Sequence, residues 1–394
     1  MEILKIAVLG AGLMGPALAM DCLESPEVEE VLLVDIDKER LRKVAERLGN
    51  PSKLITAVQD VRDRQGLIEV LKGYDVAGIA LLRWLNVDAI WGCIEAKVHA
   101  VDLASAAEKD WSDINSSALR AGVTVIPGCG VEPGLVDILA AYGMDMLDCV
   151  ESVRIWCGGI PRDPKPPLDY KIVFGGPYLP LRPGVVKTIE NGKETYVKRY
   201  TLGEPICFEG IERPLECFYD GFPQTLYEVE KFKGVKNCSE MTVRYAGYCE
   251  KVNFLDNCGL LSRDPIMFEG KEIIPFEVFS RIIYPKVRLE EKERDITVFR
   301  VIVEGYKDGC ETCYTFETVD HYDEVKDITS MAKTTSYTAA IVARMIGRGD
   351  ITERGLVPPV RVIRGELTRR LLRELRERGV VVKEVVTTKR VMGC

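Results

Sequence analysis

The residues best suited to chemistry stand close to the N-terminus. An apolar run ends at Leu9 and gives way to Gly10-Ala11-Gly12-Leu13-Met14-Gly15, a G-x-G-x-x-G spacing. Gly10 permits a tight turn, Gly12 lets the backbone approach a pyrophosphate, and Gly15 lets the next helix pack close on the strand. The start of that helix, with Leu13 and Met14 leading into it, offers free N–H groups to a phosphate. A second apolar run, residues 31–35, ends in Asp35 twenty residues after Gly15. A carboxylate there accepts from a ribose 2′-OH and repels a 2′-phosphate, so Asp35, with Ile36 beside it, points to NAD. Asp37 adds to this charge, while Lys38 and Arg40 oppose it.

Ligands of open parallel sheets sit outside the carboxyl ends of the strands. Asp60 and Val61, after the run LITAVQ, are candidate adenine contacts, and Asp60 reads equally as a helix cap. Leu81 and Leu82 close a fourth apolar run, and the loop Arg83-Trp84-Leu85-Asn86 after it should border the nicotinamide. Trp84 serves there as a contact or as core. Asp102, at the end of HAVD, belongs on the nucleotide side. A second glycine-rich turn follows in VIPGCGVEPGLVDIL, residues 125–139. Pro133 suits the first turn of a helix. Glu132 either complements the helix dipole or holds a substrate amine. The histidines are two, His99 and His321. His99 precedes its strand, at the wrong end for a cofactor, and His321 lies in DHYDEV.

The elements that must position these residues alternate. Strand and helix patterns follow one another about six times in the first 127 residues, the signature of a doubly wound, mostly parallel sheet. Asp37 reads as the N-cap of the helix KERLRKVAERL, which Gly49 stops. After residue 150 the pattern changes to strands joined by Gly/Pro/Asp-rich turns, among them DYKIVF and MTVRYAGYCEKVNFL. A second, α+β domain with a largely antiparallel sheet is expected there. Two helical patterns, SMAKTTSYTAAIVARMIGRG and ELTRRLLRELRERG, should return to the first domain. The expected division is 1–132, 133–330 and 331–394.

The chain has 394 residues, 46% hydrophobic and 29% charged, with a formal net charge of −8. That balance argues for a folded protein with a substantial core and against nucleic acid or an anionic membrane as partner. No apolar run is long enough to span a bilayer, and the N-terminal run lacks the features of a signal peptide, so a cytoplasmic location is expected. Thirteen scattered cysteines do not form a disulfide framework. Cys310-Glu311-Thr312-Cys313 reads as part of a hairpin, its cysteines either incidental to the structure or joined in a disulfide. A second CxxC or a histidine pair is missing from the sequence, so no metal site is expected.

Several motifs together carry a resemblance: GAGLMG, GVTVIPGCGVEPGLVDIL, GGIPRDPKPPLDYKIVF, TVRYAGYCEK, MAKTTSYTAAIVARMIGRG and GLVPP. In order and over nearly the whole chain, they resemble the reductase-type saccharopine dehydrogenase superfamily, and within it lysine 6-dehydrogenases. The resemblance implies an NAD(P)-dependent oxidoreductase acting at a C–N bond of an amino acid. It implies a Rossmann domain, a second domain giving substrate and homodimer contacts, and a C-terminal segment returning to the first. Arg244, in TVRYAGY, then becomes the bidentate partner for a substrate carboxylate, against a structural ion pair. Tyr170, in PPLDYKIVF, becomes a substrate or catalytic hydroxyl, against a core role, with Lys171 on the opposite face. Thr335 and Ser336 are placed to reach the nicotinamide amide. The chain departs from the family in carrying Glu132 where saccharopine-forming members have Asp in G-x-D-P-G. Three functions follow: oxidative deamination of L-lysine at the ε-carbon, reductive joining of an amine and an aldehyde as in saccharopine or carboxynorspermidine formation, and nucleotide binding without turnover.

Overall fold

A computed structural model describes residues 3–105, 108–176, 179–201 and 203–390. The chain begins with strands and helices in alternation: β1 (Leu4–Leu9), α1 (Gly15–Glu24), β2 (Val28–Asp35), α2 (Lys38–Arg47), β3 (Leu54–Val58), α3 (Arg64–Leu71), β4 (Val76–Ile79), α4 (Asn86–Ala96), β5 (His99–Asp102), α5 (Trp111–Ala121), β6 (Thr124–Ile126) and α6 (Leu135–Met146). Strands and two helices follow: β7 (Cys149–Pro161), β8 (Val185–Glu190), β9 (Lys193–Lys198), β10 (Glu204–Ile206), β11 (Leu215–Gly221), β12 (Asn237–Tyr245), α7 (Tyr248–Asn257), β13 (Ile266–Phe268), β14 (Lys271–Ile273), α8 (Pro275–Val287), β15 (Asp295–Lys307) and β16 (Cys310–His321). The chain ends with α9 (Ser330–Gly347), β17 (Gly355–Leu356), α10 (Pro359–Val362), α11 (Glu366–Glu377) and β18 (Lys383–Lys389).

Two compact units result. The first comprises residues 1–142 and 331–380, the second 143–330 and 381–394. The first sheet runs β17-β6-β5-β4-β1-β2-β3, every pair parallel. Such a sheet is covered on both faces, which explains why its strands are continuous apolar runs. Leu9, Val34, Ile79 and Ala100 of the strands pack with Leu67, Ile90, Cys93 and Ala118 of the helices. This order with central β1 is that of a dinucleotide-binding domain, extended by β17.

A buried ion cluster ties the late helices to α1. The guanidinium of Arg344, on α9, pairs with Asp21 of α1, with Glu27 at 3.1 Å and with Glu374 of α11 at 3.0 Å. Arg344 is 1% exposed, so these carboxylates replace its hydration shell.

The second unit's main sheet runs β10-β11-β12-β7-β15-β16-β18, with β8 and β9 attached at β12. It is antiparallel except where β12 and β7 run parallel. Three local expectations are corrected here. The stretch DYKIVF is not a strand: only Ile172 makes a bridge, to Arg288, because Pro167 and the left-handed Asp169 (φ 52) precede it and two glycines follow. The strand MTVRY ends at Tyr245, and YCEKVNFLDN is helix α7, set off by Gly247 at φ 89. The chain after Val380 leaves the first unit, because β18 pairs with β16 in the second sheet.

Cys310 and Cys313 lie on β16 of the β15–β16 hairpin, and every cysteine among the described residues is a free thiol. Residues three apart on a strand face opposite sides, which keeps this pair from closing.

Candidate active site

The glycine loop has the geometry its spacing requires. Gly10 has φ 103, and a Cβ there would stand 2.4 Å from the Ala80 carbonyl oxygen. A Cβ on Gly15 would stand 1.8 Å from the Gly10 carbonyl oxygen. A Cβ on Gly12 would meet nothing within 4 Å, so the second glycine borders open space. Leu13 is exposed, and Met14 is half-buried. No side chain caps α1, and no acid stands in its first turn. Pro16 has no N–H and the Ala17 and Leu18 amides turn back to Met14 O, so the uncapped helix start offers an anion the Gly15 amide and its positive dipole end.

Asp35 closes the other side of the loop. Its Oδ2 accepts the Ala11 N–H at 2.8 Å, and its Oδ1 accepts the Asp37 N–H at 2.9 Å. Arg40 reaches the same carboxylate at 3.0 Å. Asp37 caps α2 as expected, accepting from the Glu39 and Arg40 amides. Ile36 is exposed beside the loop.

Asp60 turns back on Arg62, at 2.6 Å, and does not cap a helix; Asp63 caps α3 instead. The pair with Arg62 holds the Asp60 carboxyl below its ordinary range. Val61 is buried. Leu81 and Leu82 are half-buried, and Trp84, at 62% exposed, is no core residue.

Asp102 is fully buried at the end of β5, where it accepts from Asn86 and from the Ala104 amide. The adjoining turn closes through Gly130 N–H to Pro133 O (2.9 Å) and Leu135 N–H to Gly130 O (2.9 Å). Helix α6 starts at Leu135, two residues later than Pro133 suggested, and its first-turn acid is Asp137. Glu132 is half-buried outside that helix, so the dipole role falls to Asp137. The start of α9 joins the same cradle. The Ser336 hydroxyl donates to Met14 O at 2.8 Å, and the Thr335 methyl stands 3.0 Å from where a Cβ on Gly130 would be. Ser336 thus ties α9 to the glycine loop.

His99 is used structurally, since its Nδ1 accepts the Thr124 N–H at 2.8 Å. Burial and the Arg354 charge push this imidazole down to about 4, so it is neutral near pH 7. His321 is exposed at the end of β16.

The second unit holds a buried polar cluster around Arg244. The Arg244 guanidinium carbon lies 4.5 Å from the ring centre of Tyr170 and 5.9 Å from that of Tyr248, both within cation–π range. Its Nη1 donates to Val243 O at 2.7 Å, but its Nε has no hydrogen-bond partner. The Tyr170 hydroxyl is buried and also unpartnered. Arg244 lies near enough to favour the phenolate electrostatically but makes no well-directed hydrogen bond to it. Burial still dominates and pushes the phenol up.

Sequence accounts for the placement. Arg244 on β12 sits across from Glu216 on β11. Glu216 accepts the Gly247 and Cys249 amides at 3.0 and 2.6 Å, which fixes the start of α7 and with it Tyr248. Close by, Asp220 is held by Arg182 (2.9 Å), Arg199 (3.1 Å) and Thr242 (3.0 Å). Lys171 turns the other way, to Glu293 at 2.8 Å.

Tyr248 and the Asp220 group were not singled out from sequence, and Asn86 entered only as the end of the loop that starts at Arg83. Tyr248 lies within the TVRYAGYCEK motif and was legible there. The pairing of Asn86 with Asp102, sixteen residues apart, left no local pattern.

A parallel sheet of this order, with an open glycine loop and an uncapped helix end, defines a dinucleotide-binding enzyme domain. Sequence comparison assigns the rest. The profile of the saccharopine dehydrogenase NADP binding domain matches residues 6–126, and that of the saccharopine dehydrogenase C-terminal domain matches residues 130–380. The chain belongs to the saccharopine dehydrogenase family and is an NAD(P)-dependent oxidoreductase of that family. It is 22% identical to carboxyaminopropylagmatine dehydrogenase of Synechocystis, covering 87% of this chain and 88% of the relative. It is 23% identical to the NADP(+), L-glutamate-forming saccharopine dehydrogenase of Saccharomyces cerevisiae, covering 86% and 91%. The apo structure of the L-Glu-forming yeast saccharopine dehydrogenase shares the fold, with TM-score 0.77 and 19% identity over 97% of this chain and 99% of that one. Among the described residues no cluster of potential metal ligands occurs and no helix is long and apolar enough to cross a membrane.

Proposed function

We propose that the chain is an NAD-dependent dehydrogenase that oxidises the ε-carbon–nitrogen bond of L-lysine. The observation that carries an amino-acid substrate is the buried Arg244–Tyr170 pair, with a guanidinium Nε and a phenol hydroxyl that lack partners. A carboxylate satisfies both at once, and burial makes such an interaction strong. Support for lysine comes from the motifs resembling lysine 6-dehydrogenases, and support for NAD from the Asp35 carboxylate at the end of β2.

The cradle fits a dinucleotide: Gly12 leaves room, the uncapped start of α1 offers its positive dipole end, and Asp35 offers a ribose acceptor. When bound, the nicotinamide accepts a hydride from the carbon that bears the nitrogen. The protein supplies the rest. Arg244 and Tyr170 hold the α-carboxylate, and the ε-ammonium gives up a proton so that its lone pair can drive oxidation. Water then adds to the iminium carbon and ammonium leaves. In balance, one lysine, one NAD⁺ and one water give the 6-semialdehyde, NADH, ammonium and a proton. The semialdehyde cyclises by condensing with its own α-amine.

A second reading is oxidation, or reductive formation, of a secondary amine. The relatives favour it, since they include a carboxynorspermidine synthase of Vibrio cholerae, 23% identical over 90% of this chain, and the yeast saccharopine dehydrogenase. NADH formation from NAD with L-lysine, saccharopine, ornithine and polyamines in parallel tests both. Turnover of lysine with ammonia released in step supports the first reading. Silence with lysine and turnover of a secondary amine overturns it in favour of the second.

A further inference from the structure

At the carboxyl end of β5 two side chains meet with no access to solvent. Asn86 and Asp102 are each 0% exposed. The Asn86 Nδ2 donates to Asp102 Oδ1 at 2.8 Å, and the Ala104 N–H donates to the same oxygen at 3.0 Å. The other oxygens, Asp102 Oδ2 and Asn86 Oδ1, are buried and have no partner among the described residues. Both are acceptors while Asp102 is ionised, and two acceptors cannot satisfy each other. One proton on Oδ2 removes the conflict. An acid and an amide then join at two points, each donating once and accepting once.

No counter-charge argues for the ionised form. Among the described residues the cation felt at this carboxyl is Arg83, from the helical turn before α4, and its Nε is directed to Ser105 O at 3.3 Å. The titratable groups facing Asp102 from α4 and from the turn after β6 are Cys93 and Cys129, both buried thiols pushed up from their ordinary range and so neutral. Burial accordingly raises the Asp102 carboxyl to about 8, against the pull of Ala104, Asn86 and Arg83.

The pair sits where four chain segments converge. Asn86 begins α4 and ends the loop from Leu81. The Asp102 carbonyl accepts the Cys129 N–H at 2.7 Å, the Ala104 carbonyl accepts the Gly128 N–H at 2.5 Å, and the Leu103 N–H donates to Ile79 O at 3.1 Å.

We infer that Asp102 is held as a neutral carboxylic acid in a two-point bond with Asn86, and that it is the positioning residue for the nicotinamide edge of the cofactor cradle. It acts through the loop 81–86, residues 103–105 and the turn 128–134, and touches no reactant itself. Ionisation opens the pair and leaves an uncompensated charge among these segments. The positioning role rests on the reading of this edge as the nicotinamide side. The protonated pair does not.

Two measurements on the full chain separate these parts. Infrared difference spectra of wild type minus Asp102→Asn report a buried protonated carboxyl directly. NADH affinity, by fluorescence between about pH 6.5 and 9.5, reports the cradle. The amide of Asp102→Asn reproduces the two-point bond without its proton. The wild type should show the carboxylic acid band near neutral pH and lose it at the alkaline end. Its NADH affinity should fall about tenfold per pH unit once ionisation is complete in the free protein but resisted in the complex. Asp102→Asn should bind like the neutral wild type at every pH, and Asp102→Ala should bind weakly at every pH. Absence of the acid band at neutral pH overturns the pair. A band without any pH dependence of affinity that Asp102→Asn removes, or no NADH binding by any variant, overturns the positioning role while leaving the pair established.

Discussion

Asp35 Oδ2 accepts the Ala11 N–H at 2.8 Å, so the acid expected to meet the ribose also holds the glycine loop in shape. The same carboxylate carries Arg40 at 3.0 Å. Its charge is therefore partly offset, and the proposed preference for NAD depends on both residues. Asp35→Ala should weaken NAD(H) binding by roughly tenfold or more, because it removes a ribose acceptor and orphans a buried amide at about 1–3 kcal/mol. It should also relax discrimination against the 2′-phosphate, since the repelling charge is lost and Arg40 is released. Arg40→Ala should act oppositely and sharpen the preference for NAD. Fluorescence titrations with NADH and NADPH check both, and an unchanged preference in Asp35→Ala sinks the assignment.

Gly12 and Gly15 answer to different constraints. A Cβ on Gly12 enters open space, whereas one on Gly15 would stand 1.8 Å from the Gly10 carbonyl oxygen. Gly12→Ala should therefore keep its stability within about 0.5 kcal/mol of wild type and yet bind nucleotide poorly. Gly15→Ala should lose stability whether or not nucleotide is present. Thermal melts with and without NADH distinguish the two. Equal loss of stability in both variants would show that Gly12 serves the fold and not the ligand.

These glycines show why the first unit was legible. A strand buried on both faces must be a short apolar run, and a loop that approaches phosphate must use glycine, so both leave local marks. The second unit was less so. YCEKVNFLDN has the aromatic and β-branched look of a strand but forms α7, because Gly247 breaks the chain and Glu216 accepts its first amides from another strand. KEVVTTK gave no burial signal, since all seven of its residues are exposed on the strand that pairs with β16. The Asp102–Asn86 pair was hidden for a similar reason: its meaning depends on burial and on a partner distant in sequence.

Glu293 links acid stability to the segment that carries Tyr170. It lies 2.8 Å from both Lys165 and Lys171, and Lys171 is 5% exposed. Burial raises its carboxyl, but the hydrogen bonds from the two lysines prevail and bring it down to about 2. Because the folded value lies below the ordinary 4.5, the stabilisation is complete above that pH and fades as pH falls toward about 2. Glu293→Gln should thus be less stable than wild type at neutral pH, and the difference should close through this acid window. Melting temperatures of the two proteins across that range test it, and a constant gap would mean that the ion pairs contribute nothing to the acid limb.

Substitutions at Tyr170 and Arg244 should separate folding from the proposed substrate binding. The Tyr170 ring packs against Arg244 and Tyr248, whose ring centroid is 5.8 Å away, while its hydroxyl meets no partner. Removing an unsatisfied buried hydroxyl costs the fold little, so Tyr170→Phe should keep its unfolding free energy within about 1 kcal/mol of wild type or gain slightly. If the hydroxyl receives the substrate carboxylate, the same change should raise KM for the amino acid by roughly tenfold and leave NADH affinity unchanged. Arg244→Lys should raise KM further, because an ammonium cannot reproduce the planar fork or the stacking on Tyr170. A Tyr170→Phe enzyme with wild-type KM and wild-type stability would assign the tyrosine to core packing and leave Arg244 as the sole carboxylate ligand of this pair.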